Sequence, residues 1–353
     1  MRPIALVAAG LLVTALVAAG VTLAVLQLQS RTNTQQVNLR PGVTISEDSA
    51  IVQAAASARP AVVSVVTQQT PNLSRGSGYL ATTDGYIVTN IDVIAGAGAM
   101  TVLVPGDATA HQARLVDYDC QTGVAVIKID KVSGLPTLAF ADPTALVQGQ
   151  LIVAVGGPVE GGAVTPGYVS AMHQVVSIAN PSSPLHPLEL SDTILTNSVI
   201  NAGTAGGPIL NVGGQVVGIA MQSQPSTETN GFALNVADVQ DDVQQILQTG
   251  QVIVSSLGAN GTELNPQLAS LSGLPAGSQL VSLDSGGPAT SAGLRPGDVV
   301  TQLDDVKLDA AHPLRLLLRS RFHPNQRVTV TYSRGGVSSQ VQLTLIGQHP
   351  TCS

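Results

Sequence analysis

The 353-residue sequence predicts an N-terminal membrane helix, a large all-β domain of the sandwich or barrel type, and a smaller α+β domain at the C-terminal end. Three observations carry that reading. Residues 4–28 form an uncharged apolar run. Between residues 61 and 234, short β-branched runs alternate with turn residues, and helical periodicity is nearly absent. After residue 256 the pattern changes, with strands and short helices interleaved.

The apolar run is long enough to cross a bilayer core of ~30 Å. Arg2 precedes it, which places the N-terminus inside and the rest of the chain outside. It exceeds the ~7–15 residues of a cleavable signal core, and no clean cleavage site follows. The expectation is an uncleaved single-pass anchor over residues 1–28, then a polar linker over 29–50 containing Pro41 and Gly42.

The first globular domain is expected over residues 51–250. Residues 51–58 suit a short helix that stops before Pro60. Strands are expected at 61–66, 78–80, 86–89, 100–104, 113–116, 124–129, 151–155, 167–170, 193–195, 215–221 and 231–234. Val239, Val243, Ile246 and Leu247 recur at helical spacing, with Asn235 placed as N-cap and Gly250 just past the last turn. That helix closes the domain. The second domain is expected over 256–347, with strands at 279–283, 298–303, 327–332 and 339–345, a helix near 314–319 and a short one around 288–292.

Composition narrows the function. Hydrophobic residues make up 44% of the chain and charged residues only 10%, so a core is easily buried. Residues 32–255 carry 6 basic and 16 acidic side chains, within a net charge of −7. A nucleic-acid partner would need a dense basic footprint, so it is excluded. No metal-ligand spacing, phosphate loop or dinucleotide fingerprint is present, and no cofactor is expected. Cys120 and Cys352 could pair in an oxidising compartment or stay as two thiols.

The stretch with chemical content is Thr196–Asn211, T-N-S-V-I-N-A-G-T-A-G-G-P-I-L-N. Gly203, Gly206 and Gly207 permit a sharp turn, Pro208 stops it, and Ile209-Leu210 restarts a strand. Such a turn can aim consecutive backbone N–H groups at one point, which is how an oxyanion hole is built. The residue at its apex is Ala205, which cannot act as a nucleophile. This loop resembles the T-D-x-x-I-N-P-G-N-S-G-G-P segment of the trypsin-like HtrA/DegP proteases, with Asn197, Ala202, Thr204 and Ala205 departing from it. Two further segments resemble the same family. Gly76–Ile94 is similar to its G-S-G…D-G-x-I-x-T-N-x-H-V-V, with Asp92 in place of the catalytic histidine. Asp119–Ile129 is similar to its D-x-x-T-D-L-A-V-I-K-I, with Gly123 in place of the orienting aspartate. Gly286–Val300, G-G-P-A-T-S-A-G-L-R-P-G-D-V-V, resembles the core of a PDZ domain, with Ser256, Leu257, Gly258 and Ala259 where that family carries its carboxylate-binding loop.

The resemblance implies a chymotrypsin-like double β-barrel followed by a PDZ-like domain. It also implies that all three members of the catalytic triad are replaced, at Asp92, Gly123 and Ala205. Acyl transfer needs a hydroxyl, an imidazole to take its proton and a carboxylate to hold the imidazole. An aspartate with pKa near ~4 is a poor base, and no cation in the sequence matches Asp92, so its carboxyl is expected to be part-solvated or raised in pKa. The amides of Gly203 and Ala205 could still form an oxyanion hole. Thr204, Ser77 and Ser198 read as turn hydrogen-bonders, Asp241-Asp242 and Asp304-Asp305 as solvated faces or turns, and the histidines as surface residues, with His173 and His186 the pair nearest the loop in sequence. The implied function is that of a membrane-anchored, catalytically inactive HtrA-like pseudoprotease of the cell envelope. It would bind peptides, C-terminal ones included, or misfolded proteins, with an active protease homologue as a further partner. An active serine endopeptidase with a rearranged site is the first alternative. The second is a structural envelope component whose peptide groove is closed, with Ala259 and the Arg315, Arg319 and Arg321 helix as the reason to consider it.

Overall fold

Strand after strand in the first two hundred described residues is buried on both faces, and the reason is that two barrels share a wall. The computed structural model describes residues 20–21, 47–69, 72–178, 188–221, 231–309 and 312–350. The expected anchor and most of the linker therefore lie outside the described residues, apart from the helical pair Gly20 and Val21. Among the described residues no helix is long and apolar enough to cross a membrane.

Helix α1 (Glu47–Ala58) leads into six antiparallel strands: β1 (Val62–Gln69), β2 (Asn72–Leu80), β3 (Tyr86–Asn90), β4 (Ala99–Leu103), β5 (Ala110–Tyr118) and β6 (Val124–Ile129). They close in the order β1-β2-β3-β6-β5-β4. Strand β6 is buried at all six positions. Ile127 and Ile129 fill the barrel, whereas Val124 and Val126 face outward into a core shared with the second barrel. Lys128 is the charged exception. Its ammonium donates to the carbonyl and carboxylate of Asp84 and lies 4.5 Å from the centre of the Tyr86 ring.

The second barrel uses β7 (Leu151–Val155), β8 (Val164–Ile178), β9 (Leu188–Thr196), β10 (Pro208–Leu210), β11 (Val216–Met221) and β12 (Gly231–Asn235), closed in the order β10-β11-β12-β9-β8-β7. The alternation of β11 repeats the arrangement of β6. Val216, Ile219 and Met221 join the shared core, and Val217 and Ala220 fill the barrel. Burying a Val or Ile side chain is worth about 1.5–3 kcal/mol, so this shared wall is a main reason the barrels stay together.

Helix α3 (Val236–Thr249) then lays Val239, Val243 and Ile246 on the shared core. Both ends match the sequence signals. Asn235 accepts a hydrogen bond from the Ala237 N–H, and Gly250 takes the left-handed conformation at φ 83° while its N–H bonds the Ile246 carbonyl. A four-residue helix, α2 (Ile91–Ile94), is capped by Asn90, whose side chain accepts from the Val93 N–H at 3.0 Å.

The C-terminal sheet runs β14 (Ala259–Leu264), β15 (Gly277–Leu283), β16 (Val299–Leu303), β18 (Arg327–Arg334), β19 (Val337–Thr344), with the short β17 (Val306–Lys307) beside β16. Helices α4 (Pro266–Ser272), α5 (Pro288–Ser291) and α6 (Leu314–Ser320) pack around it, and β13 (Val254–Ser256) pairs with β20 (Ile346–Gln348). Leu257, Leu280, Val300, Leu314, Leu317, Phe322 and Val330 belong to its core. Residues 47–353 form one compact unit. Asp242, expected on a solvated face, is instead 2% exposed, because α3 presents it to the C-terminal domain. Cys120 is buried and disulfide-bonded, and Cys352 lies outside the described residues.

Candidate functional site: a Gly-rich inter-barrel loop and an open strand edge

The Gly-rich loop between β9 and β10 is organised by Asn201. Its side-chain carbonyl accepts from the Gly203 N–H at 2.9 Å and the Thr204 N–H at 3.2 Å. Its main-chain carbonyl accepts from the Ala205 N–H at 2.9 Å. Gly203 and Ala205, the two expected oxyanion-hole donors, thus spend their N–H groups inside their own turn, which differs from the sequence expectation. The physical reason is that buried amides must be satisfied, and Asn201 is the nearest acceptor when no developing oxyanion competes for them. Ala205 is 3% exposed, so its methyl group is packed rather than presented. The Thr204 hydroxyl also turns inward. It accepts from the Asn201 N–H at 3.1 Å and donates to the Asn201 carbonyl at 3.2 Å.

The frame around this turn is tight. Gly206 sits at φ 80°, and a Cβ there would lie 2.3 Å from the Ser77 carbonyl oxygen and from Thr89 Oγ1. Ser77 is not the turn residue the sequence suggested. It lies in β2 at 1% exposure and bridges the two barrels. Its hydroxyl donates to the Gly203 carbonyl at 2.6 Å and accepts from the Gly157 N–H at 2.8 Å, and its N–H donates to the Ala205 carbonyl at 2.8 Å. From the first barrel, Asn90 adds a second tie by donating to the Ala220 carbonyl at 3.0 Å.

Asp92 rides on α2, half-buried. Desolvation raises its carboxyl pKa to about 6. The same helix begins where the Ile91 N–H donates to the Gly123 carbonyl at 2.8 Å, and Val93 packs where a Cβ on Gly76 or Gly206 would fall. Two of the three positions assigned to the triad, 92 and 123, are therefore adjacent through the backbone, and α2 also packs on the loop of the third. At Gly123 the space is apolar. The residue has φ 80°, and an added Cβ would meet Leu190 Cδ1 at 3.1 Å and Leu234 Cδ2 at 3.3 Å. A side chain there would start out against the two leucines.

Four of the six histidines have ring partners away from the loop. His111 bonds Asp107 at 2.8 Å, His173 bonds Asp192 at 2.5 Å, His312 bonds Asp309 at 3.0 Å, and His349 bonds Asp117 at 2.9 Å. His173 is exposed on the β8–β9 hairpin, and none of these four ring partners is a hydroxyl. His186 lies outside the described residues. Among the described residues no group of three or more His, Cys, Asp or Glu is placed to hold a metal.

The second site is in the C-terminal domain. The segment Ser256–Ala259 turns sharply at Gly258, where φ is 69° and a Cβ would approach Pro288 Cδ to 2.8 Å. The Leu257 side chain is buried in the core, and its carbonyl accepts from the Ala289 N–H. The Gly258 N–H donates to the Ser256 hydroxyl at 2.9 Å. Beyond this turn β14 is an edge strand. It pairs with β15 on one side only, and Asn260, Gly261 and Thr262 are exposed. An unpaired edge next to a helix is the geometry that accepts an extended peptide as an added strand.

Two six-stranded antiparallel barrels with a Gly-rich loop at their junction, followed by a domain with a free β-edge, define a trypsin-like peptidase fold carrying a PDZ module. The comparisons agree. Residues 76–219 match the trypsin-like peptidase domain model, and residues 218–345 match a PDZ domain model. The serine protease Do-like HtrA of Lactococcus lactis subsp. lactis is 32% identical over 292 residues, which cover 77% of this chain and 70% of that protein. A probable periplasmic DegP-like serine endoprotease of Halomonas elongata is 34% identical over 285 residues, 78% of this chain. The match spans only 57% of the Halomonas protein, so the chain corresponds to little more than half of that relative. Among solved structures, the HtrA-type protease AlgW with decapeptide superposes with TM-score 0.70 at 26% identity, covering 85% of this chain and 99% of AlgW. AlgW with tripeptide superposes with TM-score 0.68 at 29% identity, covering 85% and 98%. The chain belongs to the HtrA/DegP family of trypsin-like, PDZ-containing proteins.

Proposed function

We propose that this chain is a catalytically silent HtrA-like pseudoprotease that binds peptides or misfolded proteins at the extracytoplasmic side of a membrane. The observation that carries the proposal is the state of the Gly-rich loop. Its apex is a buried alanine, and both amides that would hold an oxyanion donate to Asn201. Asp92 and Gly123 supply neither an imidazole nor a carboxylate to hold one. In a protease of unrelated fold, removing an equivalent triad costs about a million-fold in kcat, and what remains depends on the oxyanion hole. Here that residual source is also occupied.

Peptide binding is supported by the free edge of β14 and by the peptides named with AlgW. An envelope location is supported by the periplasmic relatives, and a single-pass anchor by the apolar run over residues 4–28. An active protease homologue is a fitting partner, because a silent relative that still captures chains could deliver or withhold them.

The test is turnover against binding with the full chain in detergent. Incubation with an unfolded casein-type substrate should give no cleavage, and a fluorophosphonate probe should label no serine. C-terminal peptides should nonetheless bind. Cleavage that survives Thr204→Val would defeat the proposal.

A further inference from the structure

Of the six consecutive residues Asp117 to Thr122 in the first barrel, five contact α3 or residues beyond it. The Asp117 carboxylate accepts from the Val252 N–H at 2.7 Å and bonds His349 at 2.9 Å. The Tyr118 ring meets the His349 ring edge-on, with centroids 6.2 Å apart. Asp119 receives an Arg319 guanidinium nitrogen. Cys120 is disulfide-bonded. The Gln121 carbonyl accepts from Arg315 at 3.4 Å, and the Thr122 hydroxyl donates to Asp242 at 2.6 Å. Val252, Arg315, Arg319 and His349 all lie beyond α3, in the connection to the C-terminal domain, on α6 or in the tail.

Arg319 is the centre of this set. Its second nitrogen reaches Asp242 at 2.5 Å, so one fork joins α6 to both the barrel segment and α3. Asp119 and Asp242 are 0% and 2% exposed, and the Arg319 side chain is 11% exposed. Burial opposes the charge on Arg319, but Asp119, Asp242 and Asp238 outweigh it and hold its pKa above the usual value. Exposed ion pairs carry little weight, but a buried fork between two carboxylates is different, because removing the arginine strands two charges.

Helix α6 also faces the strand edge. Burial raises the carboxyl pKa of Glu263 on β14, and the backbone N–H groups of Arg315 and Leu314 at the start of α6, together with the Arg315 charge, oppose that rise. Thus β14, where a peptide would add, meets α6, which flanks it, at Glu263. In turn α6 is joined to the barrels by Arg315 and Arg319.

We propose that the segment Asp117–Thr122 is a docking plate for the C-terminal domain. Arg319 is a positioning residue that fixes α6, and with it the β14 edge, in one place against the barrels. This segment leads directly into Gly123, the position assigned to the triad aspartate, and its Asp119 and Thr122 belong to the same motif. The inference rests on the peptide-binding reading only in its second consequence. The first consequence is mechanical, and no peptide is needed to observe it.

The experiment uses the full chain in detergent with the disulfide intact. One spin label is placed at exposed Gln112 and one at exposed Gln340, each through an engineered cysteine, and the label-to-label distance distribution is measured. Wild type should give one narrow distribution, and Arg319→Ala a clearly broader one. Arg319→Lys should fall between them, since a lysine keeps the charge but cannot fork to two carboxylates. Affinity for the tightest member of a library of free-carboxylate heptapeptides should weaken at least fivefold in Arg319→Ala and recover in part in Arg319→Lys. If Arg319→Ala fails to fold, Asp242→Asn and Arg319→Lys carry the same comparison. An unchanged distance distribution in the folded variants overturns the docking plate. A broadened distribution with unchanged peptide affinity overturns the coupling to the groove. A wild type that binds no library peptide removes the peptide-binding reading, while the distance measurement still decides the plate.

Discussion

The inter-barrel cleft and the β14 edge differ in what carries them. In the cleft, the three positions that depart from the family motif are defined by side chains: Ala205 packs, Gly123 turns, and Asp92 rides on a short helix with its carboxyl desolvated. At the β14 edge, recognition depends on main-chain donors and acceptors, which survive any substitution that keeps the strand extended. Chemistry written in side chains can vanish beneath an intact scaffold, whereas binding written in backbone lasts as long as the scaffold does.

The largest way to break this contrast is at the scaffold itself. Gly206→Ala would drive a methyl group into the Ser77 carbonyl and Thr89 Oγ1 at a left-handed φ. The expected loss is about 4 kcal/mol from strain and overpacking, read by urea unfolding. A loss below about 1 kcal/mol would mean the loop is not held as tightly as the contacts indicate.

Restoring the chemistry tests the same comparison from the other side. Asp92→His, Gly123→Asp and Ala205→Ser together should yield no detectable hydrolysis, because the aspartate would face Leu190 and Leu234 and the amides remain bonded to Asn201. Gly123→Asp alone should cost about 3 kcal/mol, from a carboxyl placed against apolar surface without partners. Recovered turnover in the triple variant would show that the cleft is dormant rather than dismantled.

Asp92 gives a smaller effect with a definite sign. Its carboxyl pKa is raised in the folded state to about 6 from an ordinary value near ~3.8 by desolvation. The folded protein therefore binds its proton more tightly than the unfolded chain does. Stability from this group is greatest below the unfolded pKa and falls as pH rises towards the folded one. Asp92→Asn removes that penalty. After allowance for its partial exposure, the variant should be about 1–2 kcal/mol more stable than wild type at pH 7.5 and indistinguishable near pH 4. Equal melting temperatures at pH 7.5 would mean the carboxylate is well solvated.

Most of the barrels is legible in the sequence because their strands are β-branched runs between turn residues, and α3 carries its own start and stop in Asn235 and Gly250. The elements that escape notice lack apolar periodicity. Strand β14 reads Ala-Asn-Gly-Thr-Glu-Leu because it is an exposed edge. Helix α4 has its signals, with Asn265 accepting from the Leu268 N–H, Pro266 at its start and Gly273 in the left-handed conformation after it. Its Leu268 and Leu271, however, are exposed and mark no buried face. The site positions are legible through motifs, but the direction of the Gly203 and Ala205 amides is not. It depends on Asn201, which the motif contains but whose place in it does not reveal that its carbonyls take the loop's own amides. The pairing of Asp119 and Asp242 escapes for a similar reason: one is read only as a motif residue and the other as a solvated acid, until Arg319, far along the chain, is brought between them.

The finest test returns to the β14 edge. There one amide is occupied too, since the Gly258 N–H donates to the Ser256 hydroxyl at 2.9 Å. The difference from Asn201, which holds its amides through both its side-chain and its main-chain carbonyl, is that this acceptor is a single rotatable hydroxyl, so a carboxylate can displace it. A charged acceptor bonds an amide about twice as strongly as a neutral one. Ser256→Ala removes the internal competitor and leaves the N–H free. C-terminal peptides should then bind more tightly by about 1 kcal/mol, a several-fold drop in Kd by titration calorimetry. Peptides ending in an amide should gain far less, because they bring no carboxylate to claim the donor. Weaker binding of both kinds would mean that the serine hydroxyl belongs to the ligand's own contacts, and that this edge, unlike the cleft, was never partly closed.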